Sequence, residues 1–471
     1  MSAPADTPTA SFRQRVAAAQ RDERVIRAVH LATLRKVEQR ADGMAQLRDA
    51  EGLRTLAARI KQHTLDHLPD YLEQFVRNAQ IAGARVHFAT DAAAARARIV
   101  SIARERGLKL AVKAKSMTTE EIHLNDALEH AGVRTVETDL GEFIVQIDRD
   151  RPSHIVTPII HKDRQAVARA MQRELGCEYT EDPVALTQIA RRHLRDVFRR
   201  CDLGITGVNF GIAASGAIAL CTNEGNGRMS VTRPRVHVAL MGIEKLIPRT
   251  RDLAVFLKLL SRSSTGQPLT VYTTLLRGPR RSDELDGPEE LHIVLLDNGR
   301  SRLLGGELQS VLRCIRCGAC LNACPVYRNI GGHAYASVYP GPIGALITPL
   351  LRGMNGHEDL PRASSLCGAC EAACPVRIDI PLILAKLRAA SPGFVPRSKR
   401  LALAAWNWFM RSPNRYRWAQ WLLRRALRPG ADGWTRRGPG PLGAWTEARD
   451  LPPLPAKSFR ELWQRELRDE Q

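Results

Sequence analysis

The stretch RVHFATDAAAARARIVSIARERGLKLAVKAKSMTTEEIHLNDALEHAGVRTVE, residues 85–137, decides the architecture. Three short apolar runs, RVHFA (85–89), LKLAVKA (108–114) and VRTVE (133–137), alternate with the helical stretches AAAARARIVSIARERG and TTEEIHLNDALEHAG. Strands that return through helices build a parallel sheet covered by helices, so the class is α/β. Gly83, Gly107 and Gly132 stand where a helix should stop or a strand begin.

The alternation continues outward. HIVTPII (154–160) reads as a strand, followed by a helix around 163–174 and a long helix near 183–200. Strand-like runs follow at 205–210, 213–221, 234–241 and 269–276, and the sheet domain closes at LHIVLLDNG (291–299). Toward the N-terminus, VIRAVHLATLRKVEQR and LRTLAARIKQHTLDHLPDYLEQFVRNAQ carry apolar residues at helical spacing. The expected organisation is a helical region (1–80), an α/β domain (81–300), a cysteine-rich module (301–390) and a basic, Trp-rich tail (391–471) whose many prolines break it into short helices and loose linkers.

The chain has 471 residues, 44% hydrophobic and 25% charged, which excludes a wholly disordered chain and a small disulfide scaffold. No run of ~18 apolar residues is present to span a bilayer, and the first forty residues lack a secretory pattern, so a cytoplasmic location is expected.

Seven of the ten cysteines fall between positions 314 and 374. The first group, CIRCGACLNACP (314–325), is C-x2-C-x2-C-x3-C-P, and the second, CGACEAACP (367–375), is C-x2-C-x3-C-P. Such spacing wraps a tight loop around three corners of an iron–sulfur cubane, while small residues let backbone N–H groups reach the sulfurs. In two-cluster ferredoxins the fourth cysteine of such a run serves the other cluster. The same swap gives cluster one Cys314, Cys317, Cys320 and Cys374, and cluster two Cys324, Cys367 and Cys370. Cluster two is left with three thiolates, because position 364 is Ser, as is 365. A three-iron cluster, an open iron or a non-cysteine ligand remain as alternatives, with His333 one candidate. Zinc fits less well, since its four ligands usually come as two separated pairs, and reducing cytosol disfavours disulfides. Cys177, Cys201 and Cys221 are isolated and read as buried structural thiols.

The formal net charge of +21 is uneven: residues 397–437 hold eleven basic side chains against Asp432 alone. All seven tryptophans, from Trp406 to Trp463, lie beyond the cysteine motifs. Arginine interleaved with tryptophan suits an acidic partner, a membrane interface or single-stranded bases. A basic helical tail that packs on the protein itself or on an acidic subunit is the first reading and a membrane surface or partner the second; no zinc finger, RRM or helix-turn-helix signature supports nucleic acid, which comes last.

CIRCGACLNACPVYRNIGGHAYASVYPGPIGALITPLL (314–351) and SLCGACEAACPVRIDI (365–380) resemble the lactate utilization protein B family of iron–sulfur proteins. KAKSMTTEEIHLNDALE (113–129), ETDLGEFIVQI (137–147) and GITGVNFGIAASGAIALCTNEGNGRM (204–229) resemble its LUD domain. The resemblance covers about residues 20–390. It implies a sugar-isomerase/CoA-transferase-like α/β fold followed by a small α-helical ferredoxin-like domain. It also implies two [4Fe-4S] clusters on the same seven cysteines, the missing eighth thiolate being a family trait. The implied activity is electron transfer in a three-part, NAD-independent system oxidising L-lactate to pyruvate, the partners being a cysteine-rich protein and a second LUD-type protein.

Within the α/β domain the best candidate site is Gly204–Arg228, a glycine-punctuated run ending in a polar loop after a strand. Arg228 is placed to grip a carboxylate and Glu142 to act as a base, with Lys113, Lys115 and Ser116 closing a neighbouring strand. No G-x-G-x-x-G between strand and helix and no P-loop is present, so NAD, FAD and ATP receive no support. Two other functions compete with electron transfer: catalysis on a 2-hydroxy acid by the LUD domain itself, and an iron–sulfur redox sensor.

Overall fold

A computed structural model describes residues 10–391, 397–427, 429–440, 442–446, 449–455 and 457–464. Residues 1–391 form one compact unit and 392–471 a second.

The first unit is built on a six-stranded parallel sheet. Its strands are β1 (Arg85–Ala89), β2 (Leu110–Lys113), β3 (Arg134–Glu137), β4 (Leu203–Gly207), β7 (Val236–Gly242) and β10 (Glu290–Leu296), in the order β1-β10-β7-β4-β2-β3. All seven residues of β7, VHVALMG, are buried, as a central parallel strand with helices on both faces requires. Ile99, Leu124 and Leu128 cover one face of the sheet; Leu68, Phe75 and Ala79 cover the other. The helices are punctuated as chemistry dictates. Asp91, Asp163 and Asp182 accept amide hydrogen bonds at the starts of Ala92–Glu105, Arg164–Leu175 and Pro183–Arg200.

A smaller sheet joins β5 (Phe210–Ile212), β6 (Ala217–Thr222), β8 (Leu246–Ile247) and β9 (Tyr272–Leu276) in the order β8-β5-β6-β9. Its inward residues Phe210, Ile212, Ala217 and Ala219 share one core with Val29, Met44, Ala57 and Leu65 of the N-terminal helices and with five buried cysteines of the 314–374 module. That core fixes the module against the α/β domain.

The sequence reading differs from the structure in three places. Residues 154–160 form bends and turns, not a strand. The His154 Nδ1 accepts the amides of Val156 and Thr157 at 3.0 and 3.2 Å, which turns the chain. The two strands expected over 205–210 and 213–221 form three, β4, β5 and β6, divided between two sheets, with a turn over 213–216. Cys201 is buried, but Cys177 and Cys221 are only half-buried.

In the second unit, Arg397–Met410 and Pro413–Ala426 are helices packed on each other. Trp406, Trp408, Trp418 and Trp421 are exposed. Arg415 stacks 4.3 Å from the Trp408 ring centre and Arg425 4.1 Å from that of Trp421. Of the tail features expected from sequence, Pro392, Pro396, Arg428 and Pro441 lie outside the described residues.

Candidate functional site

Two short loops of matching shape carry the cysteines. In the first, Arg316 and Gly318 take left-handed φ of +60° and +79° on either side of Cys317; in the second, Leu366 and Gly368 take +56° and +81° around Cys367. One-turn helices, Ala319–Ala323 and Ala369–Ala373, follow and pack on each other. Each ends at a Cys-Pro pair, and those cysteines share nearly one backbone conformation (φ −81°, ψ 119° at Cys324; φ −70°, ψ 118° at Cys374). The left-handed residues turn backbone N–H groups inward. The amides of Arg316, Tyr327 and Ile378 approach the sulfurs of Cys314, Cys324 and Cys374 at 3.4 Å each.

The sulfurs fall into two sets. Cys314, Cys317, Cys320 and Cys374 feel one another's charge, as do Cys324, Cys367 and Cys370. Cys374 thus joins the first loop's set and Cys324 the second's. Among the described residues, no three cysteine sulfurs lie within 4.8 Å of one another. Burial pushes the Cys317 and Cys370 thiols up to about 12. Thiolates there need a metal to hold them. Cys367 is exposed, and its thiol is lowered by the Ala369 amide and the Ser365 hydroxyl.

Cations gather around the first set. Arg40, Arg54 and Arg313 act on Cys374, and Lys61, Lys245 and Arg316 on Cys314. Around the other set, Arg328 acts on Cys324. Arg316 also stacks 4.6 Å from the Tyr339 ring and lies 3.6 Å from Glu244, tying the first loop to a buried network. In that network Arg300 makes a bidentate pair with Glu121 at 2.8 and 2.9 Å and a 2.7 Å pair with Glu244.

A second polar cluster lies at the C-terminal edge of the parallel sheet, where open α/β folds bind ligands. The register sets Lys113, the last residue of β2, beside Glu137, the last of β3, and their side chains pair at 2.7 Å, nearly fully buried. Glu142 is 3% exposed, and Lys115 lies 3.7 Å from its carboxyl, too far for a hydrogen bond. The Lys115 Nζ, Glu142 Oε1, Glu137 Oε2 and Glu120 Oε1 are buried without hydrogen-bond partners. Burial raises the carboxyls of Glu142 and Glu120 above their usual range, with Glu120 adding to the rise at Glu142 and Glu137 to that at Glu120. Burial, then Lys115, lowers Lys36 to about 8. Both lysines act on buried His154, whose Nε2 donates to Asn322 Oδ1 at 3.1 Å, on the Ala319–Ala323 helix. The polar cluster and the first cysteine loop are therefore one residue apart through His154.

Several expected site residues take other places. Arg228 is exposed on the helix Asn226–Thr232 and makes no ion pair among the described residues, so it is not brought to Glu142. The glycines of the 204–228 run serve internal packing: a Cβ at Gly204 would stand 1.9 Å from the Ser230 carbonyl, and one at Gly207 2.5 Å from Ser116 Oγ. Ser116 caps the helix Met117–Glu121. His333 bonds the Arg151 carbonyl at 2.8 Å and sits against His161 and Asp150. Glu120, Glu137, Lys36 and His154 went unread in the sequence. Glu137 carried one usable signal, a carboxylate closing an otherwise strand-like run beside the lysine that closes its neighbour.

Known proteins match throughout. The LUD domain family matches residues 72–296, the 4Fe-4S dicluster domain 310–378, and the lactate utilisation protein B C-terminal family 391–468. Lactate utilization protein B of Bacillus licheniformis is 44% identical over 467 residues, 98% of each chain. That of Geobacillus kaustophilus is 47% identical over 419 residues, 88% of each chain, and that of Bacillus subtilis 43% over 458, 96% of each.

Proposed function

Since the chain belongs to the lactate utilization protein B family, we propose that it is the iron–sulfur electron-carrying subunit of an NAD-independent system oxidising L-lactate to pyruvate. Cys314, Cys317, Cys320 and Cys374 would hold one four-iron cluster, and Cys324, Cys367 and Cys370 the other. When bound, each cluster carries one electron, and lactate oxidation releases two. The chain's own residues bury the pair in one core, donate N–H groups to the sulfurs and surround one set with cations. Those cations would favour the more negative, reduced state of a cluster held there. Two further subunits, a cysteine-rich protein and a second LUD-type protein, complete the system in the cytoplasm, and the basic Trp-rich tail reaches a membrane surface.

What supports this reading is that Cys374 lies near the first loop's cysteines and Cys324 near the second's, where the one-turn helices of the two loops pack on each other. Anaerobically purified protein should be brown, hold about eight irons per chain with matching sulfide, and show reduced-cluster EPR signals. Fewer than about three irons, or stoichiometric zinc, overturns it.

The unpaired buried atoms of Lys115 and Glu142 favour a second role, in which the LUD domain binds the hydroxy acid. Lys115 would hold the substrate carboxylate, Glu120, raised to about 7, would take a proton, and the protonated Glu142 would donate a hydrogen bond to the substrate. Lys115→Met should then abolish lactate binding while leaving iron content unchanged. Unaltered binding and turnover of the complete complex would place the substrate site in a partner.

A further inference from the structure

The two cysteine loops are the same structure fifty residues apart, and the repeat begins three residues before the second cysteine motif. Cys317, Cys320, Cys324 and Pro325 correspond to Cys367, Cys370, Cys374 and Pro375, so Cys314 corresponds to Ser364. The backbone keeps this correspondence. The paired left-handed residues fall at equal offsets, and the amides of Leu321 and Glu371 both bond the carbonyl of the preceding loop glycine at 3.0 Å. The amide two residues on bonds the first side chain in both loops: Arg316 N–H to Cys314 Sγ at 3.4 Å, and Leu366 N–H to Ser364 Oγ at 3.1 Å. Ser364 Oγ thus occupies the structural place of a ligating sulfur.

Ser364 is also held there and left available. Arg388 fixes its carbonyl at 2.8 Å and that of Pro361 at 2.8 Å. Its hydroxyl accepts the Leu366 amide but donates to no acceptor among the described residues. Ser365 is a poorer candidate: its hydroxyl already serves Cys367, and it corresponds to Ile315, a buried core residue of the first loop.

On the cluster reading above, we propose that Ser364 Oγ is the fourth ligand of the cluster held by Cys324, Cys367 and Cys370. On ligation the hydroxyl would pass its proton to solvent water, an iron–oxygen bond would form and a water bound to that iron would leave; no electron would move. The Leu366 amide stabilises the resulting alkoxide, as the Arg316 amide does the Cys314 thiolate.

The test compares the full-length anaerobic holoprotein with its Ser364→Ala, Ser364→Cys and Ser365→Ala variants. Iron content, Mössbauer spectra of 57Fe-enriched protein and the rate at which mild ferricyanide generates a three-iron EPR signal are measured. The wild type and Ser365→Ala should show one distinct, oxygen-ligated iron per chain. Ser364→Ala should lose that iron at least several-fold faster, and Ser364→Cys should replace its spectrum with an all-sulfur one and resist loss. A distinct iron that persists in Ser364→Cys, or equal iron loss in Ser364→Ala and wild type, overturns the assignment. A wild type that binds no iron removes the cluster reading itself, and the serine ligand with it.

Discussion

Glu142 keeps a proton that most glutamates lose. Burial, and then Glu120, raise its carboxyl well above the ordinary 4.5. In the unfolded chain that group ionises above about 4.5, so between there and the folded value the folded state binds the extra proton. Stability contributed by Glu142 is therefore fully present below pH ~4.5 and is lost as pH rises through neutrality, by up to about 1.4 kcal/mol per unit. Glu142→Gln should flatten this slope. Thermal unfolding of the holoprotein at pH 6 and pH 8 should show a smaller midpoint drop in the variant, and equal drops would refute the assignment. Glu121 behaves in the opposite sense: although burial pushes it up, Arg300 outweighs burial and holds its carboxyl at about 2. At this scale the cysteines were legible because metal ligation dictates their spacing. Glu120, Glu137 and Lys36 were not, because their meaning comes from sheet register and from neighbours far along the chain.

Among the elements, the helix Ala50–Asp66 does more than fill the core. Its Arg54, 7% exposed, donates to the carbonyls of Ala372 at 2.7 Å and Cys374 at 2.9 and 3.2 Å. The guanidinium satisfies carbonyls at the end of the Ala369–Ala373 helix, which that one-turn element cannot satisfy itself. Buried hydrogen bonds from a charged donor contribute about 1.5–3 kcal/mol each. Arg54→Met should lower the thermal midpoint and speed iron loss from the cluster that Cys374 closes, read as bleaching of the brown absorbance. Strands and helices in residues 85–137 were legible because apolar periodicity and glycine stops agreed there. Residues 154–160 misled for a physical reason: Ile155 and Ile160 are buried as strand residues would be, but a histidine side chain takes the amides a neighbouring strand would have bonded.

For the molecule as a whole, the charge of +21 concentrates where the tryptophans do. The tail helices expose Leu401, Leu403, Trp406, Trp408, Trp418 and Trp421, beside arginines stacked on two of those rings. Indole at headgroup depth with arginine toward anionic lipid is the chemistry of an interfacial helix. The full chain should bind anionic vesicles and release them as salt is raised, since the screening length falls from ~30 Å at 0.01 M to ~3 Å at 1 M. Replacing Arg411, Arg415, Arg424 and Arg425 with Gln should abolish sedimentation with vesicles; unchanged sedimentation would point the tail to a protein partner.

On the proposed ligation, in which each loop's last cysteine serves the opposite loop, neither cage could be loaded by a partly made chain. A ribosome must release residue 374 before cluster one has its last thiolate and residue 370 before cluster two has its third, so insertion of iron waits for nearly the whole first unit. Once filled, such cages would staple the segment between 325 and 366 at both ends, and a protease that cuts inside it would leave two fragments travelling as one.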